Sequence, residues 1–564
     1  MWFPTEPRLD PVRDDPEFAP VFAALREKIA GRPRRSGTSP ERDRNTAEAF
    51  DQAETQIHGL HRTYATKLKI AGLVAALVIG IFGILHFSGV FRFQRLFSTF
   101  SGQPVVDVGK TVAVLPFRNE TGDPANDYLV SGMADSVAGT LGLFNELRVI
   151  SQTTIDKLGP NAVPVEAGQK VRADTVIVGV VSSEKNKLTV NAEVVDVASG
   201  SKIAEFFLAE SPDRMSELQA GLQTRLLKTF GIGGQTDAAK RGYTENGLAF
   251  DLYLKGEYDR HRSTPAGISA SIENYKKAVA ADPNYALAFQ GIALAFRSAP
   301  AYGVLPPEVA YPKAREAAMT ALRLDPTLST PYVTLASIQA TYDWDFKGAE
   351  QQYLEAIRRA PNSSEAHYSY GNFLVAMQRT DEAMHEYRIA QQADPLNLNA
   401  ATNISWALYV AGRYEEATGQ ITQVIERDPT FARAYLNLGE IQQQQGKYAQ
   451  AVESVKKAFA LSKDPLTEMA LGHVYATAGK EKEALAIVLS LEERVRRGEV
   501  SAFLPAVVYA GLNDKDKAFY WLERAYQQRS NWLTLLKAGH RLKNLHGDPR
   551  FDDLLKRVGF AAEE

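Results

Sequence analysis

The pattern of hydrophobic and polar residues changes character along the chain. Residues 1–67 are rich in Pro, Arg, Asp and Glu, and residues 16–30 form their one amphipathic stretch. Such a composition buries too little apolar surface to fold, so it predicts a largely disordered polar tail with one short helix. Residues 70–90 carry no formal charge. Because a helix of that length crosses a hydrocarbon core of roughly 30 Å, a transmembrane helix is predicted over residues 68–91.

Strand-like and helical segments alternate after a linker at residues 92–109. Residues 111–117 form a β-branched apolar run typical of a buried strand, and residues 127–143 have the pattern of a helix. Shorter runs with turn residues between them continue to about residue 208 and end as antiparallel strands. This alternation predicts a small α/β domain with a mixed sheet over residues 110–232.

Beyond residue 245 the pattern is helical and periodic. Alanines recur at spacings of 33 to 35 residues, at Ala314, Ala349, Ala383, Ala417, Ala451, Ala484 and Ala518. A Gly/Ser series and a proline series run in the same register. The period predicts stacked helical pairs, each of which buries its apolar face against the next pair. We expect about eight pairs over residues 245–530 and capping helices over residues 531–564. Within the array, the sequence predicts insertions in the first two pairs, one at residues 260–268 and a longer one at residues 298–312.

Two parts of the chain carry a family resemblance. The 34-residue period, with small residues near position 8 and at 20 and proline near 32, is similar to the tetratricopeptide repeat. The stretch VAVLPFRNETGDPANDY, with the later ADTVIVGVV, resembles the TolB-like amino-terminal domain of bacterial membrane proteins with such repeats. In those proteins an adenylate cyclase, a Ser/Thr kinase or a winged-helix DNA-binding domain often precedes the span. Residues 1–67 are too few for such a domain, so the resemblance implies an accessory or sensory protein without its effector.

Composition and motifs argue against an enzyme. A net charge of −3 gives no basic field for nucleic acid, and the absence of cysteine excludes thiolate chemistry. The sequence has no phosphate-binding loop, metalloprotease motif or nucleophile elbow, so we expect no catalytic residue, cofactor or metal. Polar side chains at Asn119, Glu120, Asp123 and Asp127 follow the first predicted strand, where α/β folds place ligands. We interpret them as turn and helix-cap residues, with a small-ligand site as the alternative.

The resemblance to tetratricopeptide repeats also implies a peptide-binding groove, lined by the first helix of each repeat. In this register the candidate groove residues are Glu365, Tyr368, Asn372, Asn399, Thr402, Asn403, Trp406, Tyr409, Arg433, Asn437, Glu440 and Gln443. Their amide, aromatic and charged groups suit an extended peptide. Asn372, Asn403 and Arg433 match the family's clamp for a terminal carboxylate. Tyr368 and Asn437 replace its basic residues, so the sequence does not favour carboxylate capture.

The predicted function is therefore that of a membrane-anchored scaffold or signalling protein that binds a partner protein or peptide. Two alternatives remain open: the regulatory remainder of an adenylate cyclase or kinase system, and a transcriptional regulator without its DNA-binding domain. The resemblance places the chain in a bacterial inner membrane. Basic residues are balanced on the two sides of the span, so charge does not decide its orientation. An uncleaved signal anchor favours a cytoplasmic N-terminus and periplasmic C-terminal domains.

Overall fold

A computed structural model describes residues 110–144, 146–159, 162–184, 187–232 and 244–560. The chain divides into two units, residues 1–106 and residues 107–564, and all described residues belong to the second. The predicted tail, transmembrane helix and linker lie outside the described residues. Within the described ranges, no helix is both long and apolar enough to cross a membrane.

The first part of the described chain contains a mixed sheet, as predicted. Its six strands are β1 Lys110–Val114, β2 Arg118–Glu120, β3 Leu147–Val149, β4 Thr175–Glu184, β5 Lys187–Asp196 and β6 Lys202–Glu210. They run in the order β3-β1-β4-β5-β6, and β2 pairs with β4 beyond the end of β1. The strands β1, β2 and β3 are in parallel pairings, whereas β4, β5 and β6 pair antiparallel. The antiparallel part was predicted from its turns, and β2 was missed because its three residues are all polar.

Helices cover both faces of this sheet. They are α1 Asp127–Leu141, α2 Gln152–Asp156, α3 Pro164–Val171 and α4 Met215–Thr229. The alternation along β1 explains the two layers, because Val112 and Val114 are buried in the same cluster as residues of α1 and α4. Ala113 and Leu115 are buried on the opposite face with α2 and α3. Sequence reasoning missed both α2 and α4.

The remaining described residues form a helical solenoid, which confirms the predicted all-α class of this part. Eight helical pairs follow one another: α5 Gly247–His261 with α6 Pro265–Ala281, α7 Ala286–Ser298 with α8 Pro307–Leu324, α9 Thr330–Ile338 with α10 Phe346–Arg359, α11 Ser364–Ala376 with α12 Thr380–Ala393, α13 Leu398–Val410 with α14 Tyr414–Arg427, α15 Ala432–Gln444 with α16 Tyr448–Ser462, α17 Pro465–Thr477 with α18 Glu481–Arg496, and α19 Phe503–Gly511 with α20 Lys515–Gln527.

Local residues begin and end these helices. Ser363, for example, accepts a hydrogen bond from the Ala366 N–H at the start of α11. Three second helices, α6, α8 and α14, end at an aspartate with extended backbone, such as Asp428 after α14, and a proline follows that cannot continue the helix. Both predicted insertions are shorter in the structure, because residues 262–264 alone separate α5 from α6 and residues 299–306 separate α7 from α8. Helix α8 begins at Pro307 and includes Pro312, because tertiary packing tolerates the one backbone hydrogen bond that proline removes.

The C-terminal segment, residues 531–560, closes the array. It consists of two 3-10 turns, Asn531–Leu535 and His540–Leu545, and the helix α21 Pro549–Arg557. It packs on the last pairs and also reaches back to the π-helical turn Gln339–Asp343 and the residues that follow it. Phe560 lies 4.8 Å from Phe346 between ring centroids. The segment therefore joins the end of the array to its middle.

The α/β domain packs directly against the solenoid. Helix α1 contacts α5 so closely that a Cβ atom on Gly132 would lie 2.7 Å from Leu254 Cδ2. On the other side of the domain, the edge strand β3 meets the loops between pairs, where Asn362 Nδ2 donates to the Leu147 carbonyl at 3.2 Å. The Ser151 hydroxyl donates to Asp394 at 2.6 Å. The two parts thus share one folded unit.

Candidate functional site

The first helices of the pairs form the inner face of the solenoid. From α7 to α19, each first helix contacts the first helix of the next pair. Side chains two pairs apart also meet: Arg433 on α15 reaches Tyr368 on α11, and Arg297 on α7 lies 3.2 Å from Glu365 on α11. Such skipping contacts require a concave surface. We call the surface formed by α7, α9, α11, α13, α15, α17 and α19 the groove.

Arg433 is the central polar side chain of the groove. Its Nη2 donates to Asn403 Oδ1 at 2.8 Å, and its Nη1 lies 3.4 Å from both the Tyr368 hydroxyl and Asn399 Oδ1. These acceptors are neutral oxygens on two neighbouring pairs. Among the residues that the structure describes, Arg433 forms no ion pair, and it is exposed. Its guanidinium therefore keeps donors for a ligand.

A buried amide chain holds the arginine in place. Asn403 is fully buried on α13, and its Nδ2 donates to Asn372 Oδ1 at 2.6 Å. The same Asn372 oxygen accepts from the Tyr387 hydroxyl at 2.8 Å, and burial raises the pKa of Tyr387. Because each buried polar group has a partner, Arg433 is fixed by a network rather than by one contact.

Three further predicted residues flank this network. Thr402 is buried, and its carbonyl accepts from Asn437 Nδ2 at 3.2 Å, so both residues tie α13 to α15. Trp406 lies one turn beyond Asn403 on α13 and is half-buried against the array core. Because residues three apart lie on the same side of a helix, Trp406 shares the side of α13 that carries Asn403.

The last three predicted residues contact the C-terminal segment. The Tyr409 ring lies 4.7 Å from the His540 ring between centroids, and burial raises the pKa of Tyr409. Glu440 forms an ion pair with Arg541. Gln443 Nε2 donates at 3.2 Å to His473, which in turn donates to the backbone of residue 541. The structure thus divides the twelve residues into an open part around Arg433 and a filled part around Glu440.

Sequence reasoning missed two groups at this surface. His473 occupies the position of Asn372, Trp406 and Glu440 in the next repeat, so extending the register by one unit would have found it. The residues His540 and Arg541 carry no such signal, because they lie outside the periodic array. Their role depends on how the chain folds back.

The loop after β1 is closed by its own side chains. Asn119 Nδ2 donates to Asp127 Oδ1 at 2.8 Å, and Asp123 accepts from the Ala125 N–H at 2.9 Å as a helix cap. This geometry accords with the turn-and-cap interpretation. Within the described ranges, no cluster of three or more His, Asp or Glu side chains has the arrangement of a metal site.

Comparisons with known proteins support the repeat. The tetratricopeptide-repeat family model matches residues 345–397 and 402–465. Tetratricopeptide repeat protein 21B of Xenopus laevis is 31% identical over 130 residues, which cover 22% of this chain and 10% of that protein. The type IV pilus assembly protein PilF of Pseudomonas aeruginosa is 29% identical over 135 residues, 23% of this chain and 54% of PilF. The chain thus spans only part of the length of either relative.

A solved structure shows a similar likeness. YrrB, described as a tetratricopeptide-repeat protein with an unusual peptide-binding site, is 22% identical with a TM-score of 0.27 over 35% of this chain and 95% of YrrB. The helical pairs, their small-residue register and the family match lead to one conclusion: this chain contains tetratricopeptide repeats, stacked into a solenoid behind a small mixed-sheet domain.

Proposed function

We propose that this chain is a membrane-anchored, non-enzymatic interaction protein and that the open part of its groove holds an extended peptide of a partner protein. The observation that carries the proposal is the exposed guanidinium of Arg433, which is held by a buried amide network and contacts only neutral oxygens among the described residues. A fixed guanidinium donates readily to the carbonyl and carboxylate oxygens of an extended chain.

The neighbouring side chains suit the same ligand. Asn399 and Tyr368 supply hydrogen-bonding groups beside Arg433, and Trp406 supplies an aromatic surface on the adjacent turn of α13. Glu365 is paired with Arg297, so this carboxylate does not neutralise the charge of Arg433. We therefore propose that the bound segment presents an acidic side chain or a run of carbonyl groups to Arg433.

The finer parts of the proposal rest on the sequence. Residues 70–90 would anchor the chain in a bacterial inner membrane, and the mixed-sheet domain resembles the TolB-like domain of such proteins. Its direct packing against α5 supports an accessory role in the same folded unit, such as positioning the array for a scaffold or signalling function.

Substitutions in the open groove test the binding proposal. Arg433→Ala and Trp406→Ala in the full chain should each weaken recovery of partners in a quantitative pull-down by about tenfold, the typical effect of truncating an interface hot spot. Arg388→Ala and Tyr448→Ala are matched controls, because both side chains are exposed on second helices away from the groove. These controls should recover partners like the wild type.

Circular dichroism of each variant separates loss of binding from loss of folding. If folded Arg433→Ala and Trp406→Ala variants recover every partner as well as the wild type, the groove is not the binding surface.

A further inference from the structure

Residues 537–544 of the C-terminal segment cross the groove in the manner of a bound peptide. They pass in sequence order over five successive first helices or the loops that follow them. Gln378, after α11, donates through Nε2 to the Lys537 carbonyl at 3.2 Å. At the far end, Asn544 Nδ2 donates to the Ala510 carbonyl on α19 at 2.6 Å. We call residues 537–544 the crossing segment.

The middle of the crossing segment makes side-chain contacts with three repeats. The His540 ring packs on Tyr409 of α13 and meets Tyr414 edge-on at 6.3 Å between centroids. Arg541 pairs with Glu440 of α15, and its carbonyl accepts from His473 Nε2 of α17 at 3.2 Å. The 3-10 turn that begins at His540 therefore supplies two side-chain anchors and one backbone acceptor to the groove.

The ion pair between Arg541 and Glu440 is not needed merely to cover the apolar end of the array. Leu536, Leu542 and Leu545 of the same region are almost fully buried in the core of the last pairs and supply apolar contacts that close the stack. Arg541 and Glu440 are also largely removed from water, with 19% and 7% of their side chains exposed. A buried ion pair is costly to desolvate and contributes mainly to the choice of register and partner.

From these contacts we infer that the inner faces of α13 to α19 form a binding site for an arginine-bearing peptide that binds as a 3-10 turn, and that the chain fills this site with its own crossing segment. Glu440 is the specificity-determining residue, Tyr409 packs against the flanking ring, and His473 holds the peptide backbone. The inference refines the proposed function, because it confines an external ligand of the wild-type chain to the open part around Arg433.

A peptide-binding experiment tests the inference in the full chain. In a linker variant, residues 537–544 are replaced by a Gly/Ser linker of equal length, which keeps Leu536, Leu545 and α21. The probe is a fluorescent synthetic peptide with the sequence of residues 536–546. The linker variant should bind this probe at least tenfold more tightly than the wild type, whose site is filled.

Charge reversals in the probe and in the protein then test whether the ion pair between Arg541 and Glu440 carries the binding. A probe with Arg541→Glu should bind the linker variant at least tenfold more weakly, and adding Glu440→Arg to the linker variant should restore binding of that probe. Adding Arg433→Ala to the linker variant should change its affinity for the original probe by no more than about twofold, because Arg433 belongs to the open part of the groove. The proposed function, which depends on Arg433, can therefore fail without this inference failing, and the reverse also holds. If the folded linker variant does not bind the probe, or binds the Arg541→Glu probe equally well, the inference is wrong.

A second measurement applies even if the linker variant does not fold. In the otherwise wild-type full chain, Glu440→Gln should accelerate amide hydrogen exchange in the crossing segment at least tenfold and leave α5 and α6 unchanged. Glu416→Gln is the matched control, because Glu416 is exposed and paired with Arg413 on a second helix. Equal exchange in the Glu440→Gln variant and the wild type would mean that the leucines alone hold the segment, and would overturn the inference.

Discussion

At the scale of single residues, the two hydrogen bonds of His473 depend on the protonation state of its imidazole ring. Its Nδ1 accepts from Gln443 and its Nε2 donates to the Arg541 carbonyl, which requires the neutral ring protonated on Nε2. Burial lowers the pKa of His473 to about 4. Acid protonation would place a second proton on Nδ1 and remove one of the two acceptors of Gln443 Nε2, leaving only Thr477 Oγ1 at 3.1 Å.

The lowered pKa of His473 predicts a loss of stability in acid. An unfolded histidine titrates near 6.5, so between pH 6.5 and about 4 the unfolded chain binds a proton that the folded chain does not. The contribution of His473 is present above pH 6.5 and falls as the pH drops toward 4, by on the order of 3 kcal/mol. His473→Gln should flatten this part of the pH dependence of the unfolding free energy, measured by denaturant titration.

The pH dependence of the His473→Gln variant is compared with that of a control variant at an exposed histidine, and a second buried histidine has the opposite effect on stability. His385→Gln changes an exposed histidine and should leave the slope as in the wild type. His261 acts in the opposite direction: burial lowers its pKa, but the contact with Asp135 at 3.0 Å outweighs burial and the pKa is raised. The stability from His261 is present below pH 6.5 and is lost as the pH rises through its folded pKa. An unchanged slope in His473→Gln would contradict the prediction.

At the scale of the elements, a glycine and a tyrosine set the distance between the helices of a pair. Tyr387 on α12 is fully buried, and a Cβ atom on Gly371 of α11 would lie 2.6 Å from its ring. No real Cβ contact is that short, so only glycine allows α11 and α12 to approach with this ring between them. The period places small residues at this position for the same reason.

Replacing a helical glycine with alanine usually raises the free energy of unfolding, but the same change at Gly371 should lower it. Gly371→Ala should lower the unfolding free energy, because overpacking costs roughly 1–3 kcal/mol and the better helix propensity recovers about 1 kcal/mol. Gly419→Ala is the matched control: that glycine lies exposed in α14 with no atom within 4 Å of the added Cβ. The control should gain up to about 1 kcal/mol in denaturant unfolding. A gain in both variants would refute the packing argument.

At the scale of the whole molecule, the described residues form one unit in which the array meets the α/β domain and the C-terminal segment. The domain contacts the loops between pairs at Asn362 and Asp394, whereas the C-terminal segment contacts loops within pairs, near Trp344 and Gln378. Among the described residues, Arg433 and the side chains that it contacts belong to neither of these two contact regions.

Membrane orientation is the prediction at this scale. With a short tail inside and the large portion exported, alkaline phosphatase fused after residue 564 should be active, because its disulfides form only outside the cytoplasm. A cytoplasm-only reporter at the same place should be silent. Deletion of residues 70–90 should abolish phosphatase activity and serves as the control. The reverse reporter pattern would invert the proposed orientation.

The 34-residue period by itself specifies the helical pairs, because each repeat carries its own small residues, apolar face and stop signal. Strands β1, β4, β5 and β6 were likewise evident in their apolar runs. The same register predicts Asn372, Asn403 and Arg433 on one surface, since a helical repeat maps sequence spacing onto one surface, and their side chains are joined by hydrogen bonds.

Tertiary structure alone decided what lies against that surface. Glu440 and Arg541 are separated by 101 residues and join only because the C-terminal segment folds back across the groove. Helix α2 was missed because five residues are too few to show a helical period, and the Asp394 side chain that Thr154 contacts lies 240 residues further along the chain. The local sequence pattern indicates which side chains of a segment are buried, but it does not indicate which distant segment those side chains contact. The filled part of the groove around Glu440 depends on such a contact between segments that are distant in the sequence.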